Sequence, residues 1–195
     1  MNTVKIALTG KMRSGKSTVA LYLVEKYGFK RFSFAEKLKK HANEIFGEQA
    51  NPRKLYQWFG QTMRQYDPDI WVRKCFESIE MSRLVHETYY IEGVNGPFRV
   101  VIDDLRQQNE YERCRSEGFI IVRVTAPEEI RIDRLIDSGE EYDDATFYHE
   151  TEMYVDNFVA DYEIRNDGDF NSLHAQVDAI MRELDVTKTN KGAVN

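Results

Sequence analysis

A chain of 195 residues with 42% hydrophobic and 31% charged side chains has the composition of one ordinary globular α/β domain, and is short for two. Its formal charge of −6 argues against a track for polynucleotide phosphates without excluding one, and suits a small anion held in a local cleft better. No apolar run reaches bilayer length, no signal-type cleavage site follows the N-terminus, and neither Cys75 with Cys114 nor the four histidines show metal-ligand spacing; the expectation is a cytoplasmic protein with reduced thiols, no membrane partner and no zinc site.

Val4 to Thr9 alternates and then ends in Gly10, which predicts a buried first strand. Residues 17–27 are rich in helix formers and stop at Gly28. Arg31 to Phe34 predicts a short second strand, and residues 35–46 a lysine-rich helix closed by Gly47. Asn51-Pro52 opens a helix that is apolar at Leu55, Phe59 and Met63, with Arg53, Gln57, Gln61 and Arg64 on a separate polar stripe. Another helix starts at Asp67-Pro68 and runs to about Leu84. Tyr89-Tyr90-Ile91 and Asn95-Gly96 suggest a small hairpin. Arg99 to Ile102 is a strand ending in Asp103-Asp104, followed by a helix over about 107–117. Phe119 to Val124 is another strand, and Pro127 starts a helix with acid in its first turn. Residues 148–159 read as helix, Tyr162 to Arg165 as a last strand, and Phe170, Leu173, Val177, Ile180, Met181 and Leu184 as the apolar stripe of a closing helix.

Strands alternating with helices predict a five-stranded, mostly parallel sheet with helices on both faces. The helices between the second and third strands have no room in that minimal layout. They are expected to form a cap, at about 35–84, over the carboxyl edge where open α/β folds hold their ligands. The expected organisation is one domain over 1–186, with a lid region at about 127–150 and a flexible polar tail at 187–195.

The chemistry is concentrated at Gly10-Lys11-Met12-Arg13-Ser14-Gly15-Lys16-Ser17, a full match to GxxxxGK[ST] with a strand before it and a helix after it. Glycines at both ends let backbone N–H groups converge on phosphate oxygens, and the following helix N-terminus favours an anion. Lys16 supplies charge between β- and γ-phosphates, and Ser17 offers a hydroxyl to Mg²⁺. The expected donor-binding set is Gly10, Lys11, Arg13, Ser14, Gly15, Lys16, Ser17 and Thr18. Asp103 and Asp104 end a buried strand, where a carboxylate can join Ser17 at the metal; neighbours on a strand point to opposite sides, so one of the two faces the phosphates. Arg106 follows at once, and Arg131 with Arg134 lie three apart on the helix after the fourth strand. Several guanidiniums suit phosphoryl transfer, which is catalysed by positioning and charge neutralisation.

The glycine loop joins three further blocks: Phe34-Ala35-Glu36-Lys37-Leu38-Lys39; Leu55 to Gly60 with Arg64 and Asp69-Ile70-Trp71; and Val101 to Arg106 with Asn109-Glu110. With His149-Glu150-Thr151-Glu152, Asp161-Tyr162 and Asn166-Asp167-Gly168, the chain resembles the bacteriophage-type deoxynucleoside monophosphate kinases of the P-loop nucleoside monophosphate kinase superfamily. It is also similar to animal phosphomevalonate kinases. The resemblance implies a P-loop kinase fold with ATP and Mg²⁺. It implies that Asp104 and Arg106 bridge metal and acceptor phosphate, and that Lys39, Gln57, Arg64 and Arg106 bind the acceptor. It puts Arg131 and Arg134 in the lid over the donor, and Asn166 and Gly168 near the donor base. The chain departs from the pattern in carrying Asp103 where a small hydroxyl residue is usual, in residues 87–98, which have no counterpart, and in a short acidic stretch at 138–144 without the usual extra lid arginines.

Three functions fit these features. One is phosphorylation of a (deoxy)nucleoside monophosphate by ATP. A second keeps the kinase core but takes another acceptor, a phosphorylated metabolite or a hydroxymethylated base in DNA. The third is a P-loop switch or regulatory ATPase, against which stands the lack of a placed γ-phosphate-sensing threonine and DxxG segment. A homodimer is compatible with each.

Overall fold

The computed structural model describes residues 3–49, 52–91, 96–139 and 154–186. Strand β1 (Val4–Thr9) leads through the glycine loop into helix α1 (Lys16–Tyr27), and β2 (Lys30–Phe32) follows. Helices α2 (Phe34–Phe46), α3 (Arg53–Tyr66) and α4 (Ile70–Thr88) come next. The chain continues with β3 (Arg99–Leu105), α5 (Gln108–Ser116), β4 (Ile120–Thr125), α6 (Glu128–Asp137), β5 (Tyr162–Arg165) and α7 (Phe170–Glu183). The strands form one sheet in the order β2-β3-β1-β4-β5, and the pairings of β1 with β3, β1 with β4 and β4 with β5 are all parallel.

Contacts divide the chain into two compact units, Phe32–Tyr90 and the remainder. In the sheet unit, Ile6, Leu8, Val101, Val122, Val124 and Ile164 share one face and bury Val19, Ala20 and Leu23 of α1 with Leu173, Val177 and Met181 of α7. Their strand neighbours Ala7, Val100, Ile102 and Ile121 point the other way and are equally buried, and α5 lies against β4. Burial on both faces is why these strands read as near-continuous apolar runs. In the helical unit, Leu38 and Ala42 of α2 pack on Phe59 of α3 and Trp71 of α4, and Trp71 Nε1 donates to the Gly60 carbonyl at 3.3 Å. No described helix is long and apolar enough to cross a membrane.

Element boundaries moved for identifiable reasons. The expected second strand through Phe34 stops at Phe32, because the Ser33 side chain caps α2 by accepting from the Ala35 N–H at 3.2 Å. Helix α4 begins three residues later than expected and extends to Thr88, where a Thr88 Oγ1 bond to the Leu84 carbonyl continues the helical pattern. Tyr89-Tyr90-Ile91 is therefore the frayed end of a helix and carries no strand, and Asn95 of the expected hairpin lies outside the described residues. Of the helix expected at 148–159, residues 148–153 lie outside the described residues and 155–157 form a turn. Residues 140–150 of the expected lid and the tail at 187–195 also fall outside them.

Candidate active site

The glycine loop is shaped from both sides. Gly10 has φ of 138°, and a Cβ there would overlap the Val124 carbonyl of β4. Gly15 has φ of 102°, and a Cβ there would overlap Asn166 Nδ2. Both positions thus exclude side chains by conformation and by space. Arg13 also takes a positive φ, 63°, in the turn ahead of α1. Lys16 is buried and donates from Nζ to the Gly10 and Lys11 carbonyls at 2.6 and 2.9 Å, which folds its charge along the loop.

Three side chains from other elements hold the loop's outer carbonyls. Asn166, at the end of β5, donates from Nδ2 to Ser14 O at 2.8 Å. Arg134 of α6 donates to Arg13 O at 3.3 Å and to Asn166 O and Oδ1 at 3.1 and 3.2 Å. Arg131, 4% exposed, donates to Met12 O at 3.3 Å and pairs with Glu128. These bonds fix the carbonyls of Met12, Arg13 and Ser14, and the Ser14 N–H is bonded within the loop to Lys11 O at 3.2 Å. The two exposed loop cations reach further: Lys11 pairs with Asp156 at 2.8 Å, and Arg13 donates to Ser138 Oγ at 2.7 Å.

Contacts separate the two adjacent acids. The register of β1 against β3 slips between Ala7 and Thr9, opposite Asp103 and Asp104, so strict alternation does not hold there, and it is Asp103 that meets Ser17 of α1 and Arg31 of β2. Asp103 is 5% exposed, and its Oδ2 stands 3.5 Å from Ser17 Oγ. Asp104 instead acts electrostatically on Cys114 of α5, whose thiol is pushed far up by burial first and then by Glu110 and Asp104. Burial, and next the charge of Asp104, raise the Asp103 carboxyl above the usual carboxylate range, against the pull of Arg31. Oδ1 of Asp103 is buried with no hydrogen-bond partner among the described residues. A hydroxyl, a carboxylate oxygen and an orphaned acceptor side by side are a donor set that fits a hard divalent cation.

A family model described as an AAA domain matches residues 6–156, more than half of the chain. The chain belongs to this AAA-domain family. It is 29% identical over 148 residues, 64% of this chain and 75% of the relative, to a protein of Acanthamoeba polyphaga mimivirus named "Putative deoxynucleotide monophosphate kinase". Among solved structures it is similar to TT1252 from Thermus thermophilus, with a TM-score of 0.61 at 21% identity over 94% of this chain and 99% of the other. It is similar also to dephospho-CoA kinase from Campylobacter jejuni, with a TM-score of 0.53 at 16% identity over 92% and 96%. The fold is that of the P-loop kinases.

In this AAA-domain chain the remaining expected residues distribute as follows. Thr18 is half-buried in the first turn of α1, and Gly168 sits in the bend before α7 without a conformation that demands glycine. Arg106 leaves the end of β3, where its N–H and that of Gln107 both donate to Glu110 Oε2 at 2.9 and 3.0 Å. Lys39 on α2 and Gln57 on α3 are exposed, and Arg64 on α3 is half-buried with a guanidinium nitrogen beside Gly60. These three belong to the helical unit, whereas the loop, Asp103, Arg106, Arg131, Arg134 and Asn166 belong to the sheet unit. Sequence reasoning missed Arg31, which donates from Nε to Asp103 Oδ2 at 2.9 Å and from Nη2 to the same oxygen. The one signal for it was a basic residue in a short strand beside an acid-ended one.

Proposed function

We propose that the protein transfers the γ-phosphoryl group of ATP to a (deoxy)nucleoside monophosphate, giving the diphosphate, with Mg²⁺ as the bound metal. That it is a phosphotransferase rests on its P-loop kinase fold and family; the acceptor and the residue roles are the proposal. The observation that carries it is the approach of Ser17 Oγ, in the first turn after the glycine loop, to the buried Asp103 carboxylate at 3.5 Å.

The loop from Gly10 to Ser17 binds the β- and γ-phosphates, and Lys16 exchanges its two carbonyl contacts for phosphate oxygens. Lys11, Arg13, Ser14 and Thr18 complete the donor contacts, and Asn166 and Gly168 border the donor base. Ser17 and Asp103 hold the cation, with Asp104 turned away from it. Mg²⁺ held by them would supply charge neutralisation to the transferring phosphates. The acceptor's phosphate oxygen is already anionic and needs no general base: it forms the new P–O bond to the γ-phosphorus while the bond to the β–γ bridging oxygen breaks, leaving ADP. Arg106 steadies the acceptor phosphate, Lys39, Gln57 and Arg64 bind the acceptor, and Arg131 and Arg134 keep the loop rigid through the transfer. The mimivirus relative's name and the sequence blocks described above favour a deoxynucleotide as acceptor, and such a substrate places the enzyme with the cytoplasmic nucleotide pool.

A coupled assay for ADP, run with ATP, Mg²⁺ and each common nucleoside monophosphate, tests the reading. Rapid ADP release is expected with at least one monophosphate and almost none without it. Lys16→Ala is expected to lower that turnover at least a hundredfold, about 2.7 kcal/mol of transition-state stabilisation. Intact turnover in Lys16→Ala, or ADP release indifferent to every monophosphate, overturns the assignment.

A further inference from the structure

Arg31 takes no part in the roles above, yet it touches the same carboxylate. Arginine–carboxylate pairs are frequently forks, one N–H on each carboxylate oxygen. Here both bonds fall on Oδ2, while Oδ1 stays buried without a partner among the described residues. The carboxylate is 5% exposed and the arginine side chain 40%, so the acid is the fixed member and the guanidinium the one that reaches solvent. Nη1 carries no hydrogen bond among the described residues, and its two N–H groups are left for another acceptor.

Oδ2 therefore has two claimants. Arg31 occupies it, and Ser17 Oγ stands 3.5 Å from it, so a divalent cation held by Ser17 and Asp103 would compete for the same oxygen. A guanidinium and a divalent cation repel each other across one shared oxygen unless further negative charge arrives, and phosphate oxygens are that charge. We propose that Arg31 is a phosphate-binding catalytic residue held in reserve: it neutralises Asp103 in the metal-free protein and turns to an oxygen of the transferring phosphoryl group once Oδ2 ligates the cation. The inference rests on the phosphoryl-transfer reading above and adds to it a residue that leaves its partner during the cycle.

Two variants of the full chain test it, Arg31→Gln and Arg31→Lys, each by calorimetric titration of the ADP-bound protein with Mg²⁺ and by steady-state kinetics. Removing the competitor predicts that Arg31→Gln binds Mg²⁺ severalfold more tightly than wild type, loses at least tenfold in kcat, and keeps its KM for ATP within twofold. Arg31→Lys, with a charge in place, returns the metal affinity toward wild type and recovers part of kcat. An unchanged kcat makes Arg31 a counter-ion alone and overturns the proposal. Unchanged or weaker Mg²⁺ binding in Arg31→Gln overturns it from the other side. Should Arg31→Gln fail to fold, Arg31→Lys decides: wild-type kcat in that variant would show that the planar fork has no work at the phosphoryl group. The Mg²⁺ titration needs no acceptor, so it keeps its meaning even where the monophosphate screen fails.

Discussion

Asn166 and Gly15 are one feature seen from two ends. The Asn166 amide fills the space that a Cβ on Gly15 would take, and the bond it makes there, 2.8 Å to Ser14 O, fixes a loop carbonyl. Asn166 is itself held by Arg134 on two acceptors and by its own N–H to Thr125 O at 2.7 Å. Truncation to Asn166→Ala leaves the buried Ser14 carbonyl without its donor, a cost of about 1–3 kcal/mol. The expected readout is a KM for ATP raised roughly tenfold with the acceptor KM unchanged, since the disturbed carbonyls belong to the donor loop. Gly15→Ala should be worse, because it adds overlap and an unfavourable positive φ to the same site. Equal rises in both KM values would show that Asn166 acts on the whole sheet and not on the loop. The glycines were legible as a motif, but their reasons were not: a β4 carbonyl and an amide 151 positions away in the chain are invisible to a local pattern.

Periodicity explains what was readable among the elements. It stops at the two acids: the register of β1 against β3 slips where β3 carries Asp103 and Asp104, so their split shows only in contacts, Asp103 with Ser17 and Arg31 and Asp104 acting on Cys114. Arg31 escaped because parallel neighbours β2 and β3 are joined by three intervening helices, and their register is set by contacts far apart in the chain. The clamp between α1 and α7 was hidden for the same reason: Tyr22 and Tyr27 both donate to Asp178 Oδ1, at 2.9 and 2.7 Å. Burial first, then the Asp178 hydrogen bond, pushes Tyr22 up to about 12 and Tyr27 higher still. A folded pKa raised above the unfolded value near 10 gives stability that is complete below pH 10 and is lost as pH climbs through the folded value. Asp178→Ala should therefore destabilise the protein at pH 8, where two hydroxyls lose their acceptor, by about 1–3 kcal/mol. The gap to wild type should narrow between pH 10 and 12 in denaturant titrations. A gap that stays constant over that window would mean that the tyrosines do not sense the Asp178 carboxylate.

At the scale of the molecule, charge and chemistry divide along the same line. The helical unit Phe32–Tyr90 carries nine Lys and Arg against eight Asp and Glu, so the chain's net negative charge resides outside it. The proposed donor contacts lie wholly in the sheet unit, and Lys39, Gln57 and Arg64 lie wholly in the helical one. A near-neutral helical unit with an exposed polar stripe on α3 is the less repulsive place for a dianionic acceptor. The two ligands should then protect different stretches of backbone from hydrogen exchange. ADP with Mg²⁺ should slow exchange in the glycine loop and the start of α1, and a nucleoside monophosphate alone should slow it in α2 and α3. A ligand at a hundred times its dissociation constant stabilises the form that binds it by about 2.7 kcal/mol, so amides that exchange by opening that unit should slow by up to about a hundredfold. Replacing Arg64 by Ala should abolish the second pattern and leave the first. Protection by the monophosphate confined to the sheet unit would take the acceptor away from Lys39, Gln57 and Arg64, and with it the reason the chain spends some sixty residues on three helices between two neighbouring strands.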